Sequence, residues 1–369
     1  MSDQPVDEAV GHLETVHTFD DGPMPTGVAV SASGRVFVNY PRWGDDVPAT
    51  VVELRDGATV PYPDQTWNSP AGDDDRDALV SVQNIVVDPV DRLWILDTGS
   101  PMFQPTKPGG PKLVGVDLST DTVVQTILFD PDVALPTTYL NDVRFDLRRG
   151  DAGIAYITDS STSGPNGIIV VDLATGAAWR RLHDHPSTKA DPPSVFLPMV
   201  EGRVLMRRPP DEPPGPVRLG SDGIAISADG ERIWYSPVSS RHWYSVSAPA
   251  LADRARADDE VAATVIDEGD KGGASDGLES DDAGRIYATD VEHNAVKRRP
   301  PDGTFETVVH DSRLLWPDTM ALAADGYLYV TANQLHRQPT YQGGQDLRRR
   351  PYSLFRVAVD AGPVRLPPA

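Results

Sequence analysis

The stretch QNIVVDPVDRLWILD, residues 83–97, opens on a polar residue and runs into a short β-branched strand, turns at an Asp- and Pro-rich corner, and leaves through a second strand carrying an aromatic. The same grammar recurs in TGVAVSASGRVFVNY from Thr26, NDVRFDLRRGDAGIAYITD from Asn141, DGIAISADGERIWYSP from Asp222, DGLESDDAGRIYATD from Asp276 and DTMALAADGYLYVTA from Asp318. Successive openings lie 57, 58, 81, 54 and 42 residues apart. A period of about 40 to 60 residues with several strands per unit predicts an all-β, six-bladed β-propeller of four-stranded blades around a central channel. A β-sandwich or a pair of smaller β domains would not explain six turns in one register.

Third and fourth strands fall where that fold needs them: KLVGVDL and TVVQTILF in blade two, GIIVVDL and the run near Ala178 to Leu182 in blade three, AVKRRP and FETVVH in blade five. Blade six runs out of chain after SLFRVAV, and HLETVHTF at residues 12–19 resembles the outer strands FETVVH and TVVQTILF. The ring is therefore expected to close by pairing the two termini, which removes an exposed sheet edge. The excess length between Asn141 and Asp222 contains HPSTKADPPSV and RRPPDEPPGPVR. Proline keeps such segments out of central strands, so they read as a long surface excursion, and residues 1–369 are expected to form one propeller domain.

With 55 acidic against 33 basic residues the formal charge is -22, a surface that repels phosphate backbones and anionic leaflets and argues against nucleic-acid and membrane partners. Zero cysteines exclude disulfides, thiolate metal sites and cysteine nucleophiles, so any metal must sit on oxygen or imidazole. The segment MSDQPVDEAV has neither a basic flank nor an apolar run, and no stretch approaches the roughly 20 apolar residues of a membrane span. The expectation is a cytoplasmic protein with a small-molecule substrate or ligand; the sequence says nothing of oligomeric state.

In a propeller the first strand of each blade lines the axis, so its opening residue points at the channel mouth. Those positions are Thr26, Gln83, Asn141, Asp222, Asp276 and Asp318, all polar. Three carboxylates in one mouth repel and raise at least one pKa unless a cation sits among them. Calcium suits an all-oxygen ring, since it takes about six to eight oxygen ligands. On this reading a divalent metal, calcium first, is held by Asn141 and Asp222, with Asp276 and Asp318 as further ligands. The ends of the second strands give another column, Tyr40, Asp97, Asp159, Pro237, Asp290 and Ala332, in which strand-ending Asp has turn chemistry as its ordinary role. The loops beyond hold Arg42 and Trp43 in PRWGDD, His242 in SSRHWY, Glu292 and His293 in DVEHN, and Asn333 and His336 in TANQLHRQ. Histidine titrates near neutrality, which makes His242, His293 and His336 candidate proton carriers beside Asp222. Gln83, Thr26, Arg42 and Trp43 are the candidate substrate contacts. GASDG, residues 273–277, fits G-x-S-x-G, but it precedes an inner strand with no helix after it, so Ser275 is not read as a nucleophile.

The run VNYPRWGDDVPATVVEL, then PYPDQTWN and VQNIVVDPVDRLWILDTG, resembles the opening of the major royal jelly protein and yellow family. KLVGVDLSTDTVV, LNDVRFD, AYITDSSTSGPNGIIVVDLATG and LYVTANQL extend the likeness over nearly the whole chain. The resemblance implies a six-bladed propeller with a ligand site at the channel mouth, in a family with binding members and members linked to dopachrome tautomerisation. LNDVRFD and SDGIAIS also resemble the related gluconolactonase and senescence-marker propellers, in which a Glu, an Asn and an Asp bind a divalent metal on the axis. That resemblance places the Asn at Asn141, the Asp at Asp222 and a substrate-contacting position at Gln83, while Thr26 stands where the family has its Glu.

Three functions follow. A metal-assisted lactonase would polarise an ester carbonyl with calcium and use a rim Asp as base on water. A yellow-type tautomerase needs only an acid and a base that move a proton on a cyclic substrate. A small-molecule binding protein needs only aromatic walls, for which Trp43, Trp67 and Trp316 are available, around a few polar anchors.

Overall fold

The computed structural model describes residues 7–72 and 74–368; residues 1–6 of the segment read for a leader lie outside them. Six four-stranded antiparallel sheets stand in a ring, each in meander order from the axis outward. Blade one comprises Gly27–Val30, Val36–Asn39, Val51–Arg55 and Ala58–Pro61; blade two Val82–Val87, Arg92–Asp97, Lys112–Asp117 and Thr122–Leu128; blade three Leu140–Asp146, Ile154–Asp159, Gly167–Asp172 and Ala178–Arg181. Blade four is Ser221–Ile226, Arg232–Pro237, His242–Ser247 and Ile266–Asp270, and blade five is Leu278–Ser280, Ile286–Asp290, Ala295–Arg299 and Glu306–His310. Blade six is Pro317–Leu322, Tyr327–Ala332 and Tyr352–Ala358, completed by Glu14–Phe19 from the other end of the chain. That closing strand pairs Glu14 with Arg356 and Phe19 with Tyr352, and Phe19 and Leu13 are buried behind it.

Each inner strand packs on the next, and the sixth returns to the first. Because strands alternate their side chains, every blade has two apolar faces, and the core is divided into clusters between successive blades rather than gathered in one centre. Trp94, Leu113, Phe145 and Ile157 pack between blades two and three, and Tyr156, Ile224, Tyr235 and Val246 between three and four. The Asp-Gly openings of blades four and five are a packing device. A Cβ on Gly223 would meet the Asp276 carbonyl oxygen at 2.4 Å, and one on Gly277 would meet that of Asp318 at 2.4 Å. Only glycine lets these inner strands come that close to the axis.

The excursion between blades three and four is more than a surface loop. It folds back over the mouth as two small hairpins, Met199–Val200 with Arg203–Val204 and Met206–Arg207 with Gly215–Pro216. Val200, Leu205 and Val217 are buried in one cluster with Trp316, Leu335 and Tyr40. The Met199 amide donates to Glu292 Oε1 at 2.9 Å and the Arg208 amide to the Thr340 carbonyl at 2.7 Å, so the cap is fastened to blades five and six. Proline excludes this segment from the blades, as expected, but its spaced apolar residues had no partner visible in sequence. None of the described helices is long and apolar enough to cross a membrane.

Candidate functional site

Four inner strands carry a β-bulge at the mouth, at Gln83, at Asn141 and Asp142, at Asp222 and Gly223, and at Asp318 and Thr319. A bulge re-aims side chains that a regular pleat would send to opposite faces. The unpaired backbone groups it creates are met by hydroxyls one residue before the ends of the second strands. Thr158 Oγ1 accepts from the Asp142 amide and donates to the Asp222 carbonyl, and Thr331 Oγ1 accepts from the Thr319 amide and donates to the Thr26 carbonyl. In blade one Asn39 takes this place, donating to Thr26 Oγ1 and to the carbonyls of Val82 and Gln83. Blades one, three and six thus hold the opening of the next.

The six expected positions do meet at the mouth, all buried under the cap. Asn141 Nδ2 donates to Asp222 Oδ1. The Asp222 and Asp276 carboxyls hydrogen-bond to each other, and Trp316 Nε1 donates to Asp276 Oδ2 at 2.5 Å. Asp318 Oδ2 accepts from Asn333 Nδ2 at 2.6 Å. Burial, then the neighbouring Asp276 and Asp142 charges, push Asp222 well above the usual carboxylate range. Burial raises Asp276 too, although its hydrogen bonds from Asp222 and Trp316 pull the other way, and burial with the Asp276 charge raises Asp318. A bond between two carboxyl groups requires a proton, and burial with the neighbouring charges favours the pair holding one.

That arrangement is the crowding of carboxyls expected from sequence. The donor set does not fit the expected calcium cage of Asn141, Asp222, Asp276 and Asp318. Asn141 presents its amide nitrogen, Asp276 and Asp318 are directed at N–H donors, and Thr26 Oγ1 is turned toward the Gln83 carbonyl at 3.3 Å. Among the described residues no three His, Asp or Glu side chains stand so that they could hold one ion.

Just below the ring, Asn84 Nδ2 donates to Asp142 Oδ1 at 2.7 Å, and burial pushes Asp142 up to about 7 against the opposing pull of Arg144. Above it, Gln83 Oε1 accepts from the Tyr139 hydroxyl at 3.1 Å, which accepts from Trp43 Nε1 at 2.8 Å. Phe103 stacks between them, 5.2 Å from Trp43 and 4.6 Å from Tyr139. Trp43 and Phe103 are partly exposed, so this is an aromatic wall leading from solvent to the ring. Sequence reading missed Tyr139, Asp142, Asn84 and Phe103. The polar pairs Gln83-Asn84 and Asn141-Asp142 at strand openings were the available sign of a bulge.

The histidines separate. His336 is buried, its Nε2 2.7 Å from Glu201 Oε2 on the cap, and its ring stacks 5.9 Å from Trp316. An ionised carboxylate only accepts, so Nε2 carries the proton, and burial holds the ring below its usual pKa. His336 therefore reaches Asp276 only through Trp316, whose φ of 60° is an unusual conformation for a bulky residue. His293 bonds Asp290 at 2.9 Å, which raises its pKa, and its side chain is half exposed. His242 opens the third strand of blade four and bonds Asp267 at 3.0 Å on the exposed side. Neither has a hydrogen bond or ion pair to a ring residue among the described residues. Arg42 donates to the carbonyls of Leu79, Val80 and Asn68, a tether between blades one and two rather than a free cation. Trp67 packs against the apolar cluster between blades one and two. Ser275 Oγ donates to the Gly277 carbonyl at 3.1 Å, as an inner-strand residue should.

Comparison with known proteins follows this geometry. The profile of a family described as major royal jelly protein matches residues 80–356. Protein yellow of Drosophila melanogaster is 27% identical over 337 residues, covering 85% of this chain and 58% of that protein, and protein yellow of Drosophila erecta matches to the same extent. The chain thus spans somewhat over half the length of these relatives. Among solved structures, a regucalcin from Agrobacterium tumefaciens, titled a calcium-binding protein, superposes with a TM-score of 0.58 at 14% identity over 96% of this chain and 97% of that one. A gluconolactonase from Xanthomonas campestris gives 0.53 at 13% identity, over 96% and 99%. At such identities the structures establish the shared propeller fold.

Proposed function

Since the chain belongs to the major royal jelly protein family, we propose that it is a small-molecule enzyme of the tautomerase or isomerase type, working by acid–base chemistry at the capped channel mouth. The observation that carries this reading is the buried pair of carboxyls, Asp222 against Asp276, whose burial and closeness favour holding one proton between them. Such a pair has an acid and a base at neutral pH in one place, because like charges so close do not both ionise. Asp276, kept anionic by Asp222 and Trp316, takes a proton from one atom of a bound ring; Asp222 returns its own to another, and the proton moves between the two carboxyls to restore the starting state. No bond to water and no oxidant enters the balance. Trp43, Phe103 and Tyr139 offer a flat substrate a stacking wall, and Gln83 fixes its polar edge.

The metal-assisted lactonase reading requires the same ring to lose its proton and exchange N–H donors for a cation, which the donor set disfavours. If calcium does bind, Asn141 with its amide turned and Asp222 would be the residues to hold it, and the ion would supply polarisation of a carbonyl. One panel separates the readings: dopachrome-like and other tautomerisable cyclic substrates beside sugar and acyl lactones, each with added calcium or chelator. We expect isomerisation unaffected by chelation and reduced by about 100-fold or more in Asp276→Asn, the usual scale for a lost general base. Lactone turnover that demands calcium, with calcium raising the melting temperature of the parent and not of Asp222→Ala, would replace this proposal by the lactonase reading. Equal loss in His242→Ala or His293→Ala would move the proton carrier to the rim.

A further inference from the structure

A cavity of about 540 Å³ lies between the Met199–Val204 hairpin of the cap and the loop of blade six after His336. Arg203, Arg208, Arg337, Arg348 and Arg349 line it, against Glu201 and Asp346 alone. On a chain of formal charge -22 this is a local inversion of sign. Two of the cations are neutralised, Arg337 by Glu201 and Arg348 by Asp45 and Asp346, at 2.5 to 2.8 Å. Arg208 has only long contacts of 3.3 to 3.5 Å to the carbonyls of Val204, Met206 and Tyr341. Arg203 and Arg349 are exposed and have no carboxylate in ion-pair reach among the described residues. Val200, Val204, Leu205 and Leu347 supply an apolar side to the wall, and Gln342 and His336 complete it.

We propose that this cavity is a binding subsite for a small organic anion, a carboxylate carried on an apolar body. Guanidinium forks match a carboxylate in geometry, and an anion relieves the mutual repulsion of three uncompensated cations. Inorganic phosphate would satisfy the arginines but leave the apolar wall uncovered, whereas an aryl or alkyl carboxylate covers both. The floor of the cavity is His336, stacked on Trp316, so a ligand here sits one residue away from the indole that holds Asp276. Binding at this place does not depend on the acid–base reading of the ring.

The test is a titration followed by calorimetry and tryptophan fluorescence, with phenylacetate, neutral phenylacetamide and inorganic phosphate as probes. Phenylacetate should saturate, bind about 10-fold or more tighter than phenylacetamide or phosphate, and weaken as sodium chloride is raised. Arg203→Gln and Arg349→Gln should each weaken it about 5-fold and the double variant by more than about 10-fold, with melting temperatures near the parent because both side chains are exposed. Asp276→Asn should bind phenylacetate as the parent does, which separates failure of this proposal from failure of the catalytic one. Equal affinity for phenylacetamide, tighter binding of phosphate, or unchanged binding in a folded double variant would each overturn it.

Discussion

Two columns of aspartates occupy fixed places in the repeat, one at the opening of the inner strand and one at the end of the second, and they end in opposite states. Asp222, Asp276 and Asp318 open inner strands and face one another, and burial drives all three pKa values up, with neighbouring carboxylate charge adding to it at Asp222 and Asp318. Asp97, Asp159 and Asp290 end second strands and are equally buried, but each meets cations and amides. Asp97 accepts from the amides of Val80, Ser81 and Gly99 and pairs with buried Lys112 at 3.0 Å. Asp159 holds the Tyr139 and Ser161 amides and Arg180, and Asp290 holds His293 and Lys297. For Asp290 burial raises the pKa, yet the hydrogen bonds from His293 and Lys297 outweigh it and hold the carboxyl below its usual range. Burial therefore does not set the role of an aspartate; the sign of its neighbours does. The first set is pushed toward its protonated form and the second fastens loops.

The comparison breaks most visibly at Asp97. Asp97→Ala leaves the Lys112 ammonium buried with no counter-charge, and a loss of about 3 to 5 kcal/mol is expected in denaturant unfolding. A loss under about 1 kcal/mol would mean that the two columns are energetically alike. Asp276→Asn should behave in the opposite sense: the amide still accepts from Trp316 and adds an N–H where a proton was shared, so unfolding stability at pH 8 should stay level or rise by about 1 kcal/mol while turnover falls. A destabilisation of the Asp97 size would refute the shared proton.

A pH-dependent effect sharpens the ring's lower edge. The folded pKa of Asp142 is raised from the ordinary carboxylate value to about 7, so the native state binds more protons than the unfolded state between about pH 4 and 7. Its contribution is present below that window and is lost as pH rises through it. Asp142→Asn keeps the acceptor for Asn84 and removes the titration, so parent and variant should converge in melting temperature near pH 4 and differ by a few degrees, the variant higher, at pH 8. Identical pH profiles would show that Asp142 does not feel the ring.

The sequence by itself determined the propeller, its blade openings to within two residues, and the strand that closes it from Glu14–Phe19, because strand alternation and turn chemistry are local and repeat six times. It also named the ring, from Thr26 through Asp318, since a position within a repeat is a position around an axis. What it could not carry was the company each residue keeps. Asn141, a candidate metal ligand, donates to Asp222; His242 and His293, candidate proton carriers, bond Asp267 and Asp290; the proline-rich excursion, expected at the surface, packs over Trp316. Protonation state, the second residue of each bulge, and the pairing of Glu201 with His336 across 135 positions depend on electrostatics and packing between segments far apart in the chain. Those energies depend on distances in space of about 10 Å or less, so only the folded structure decides which charges are neighbours.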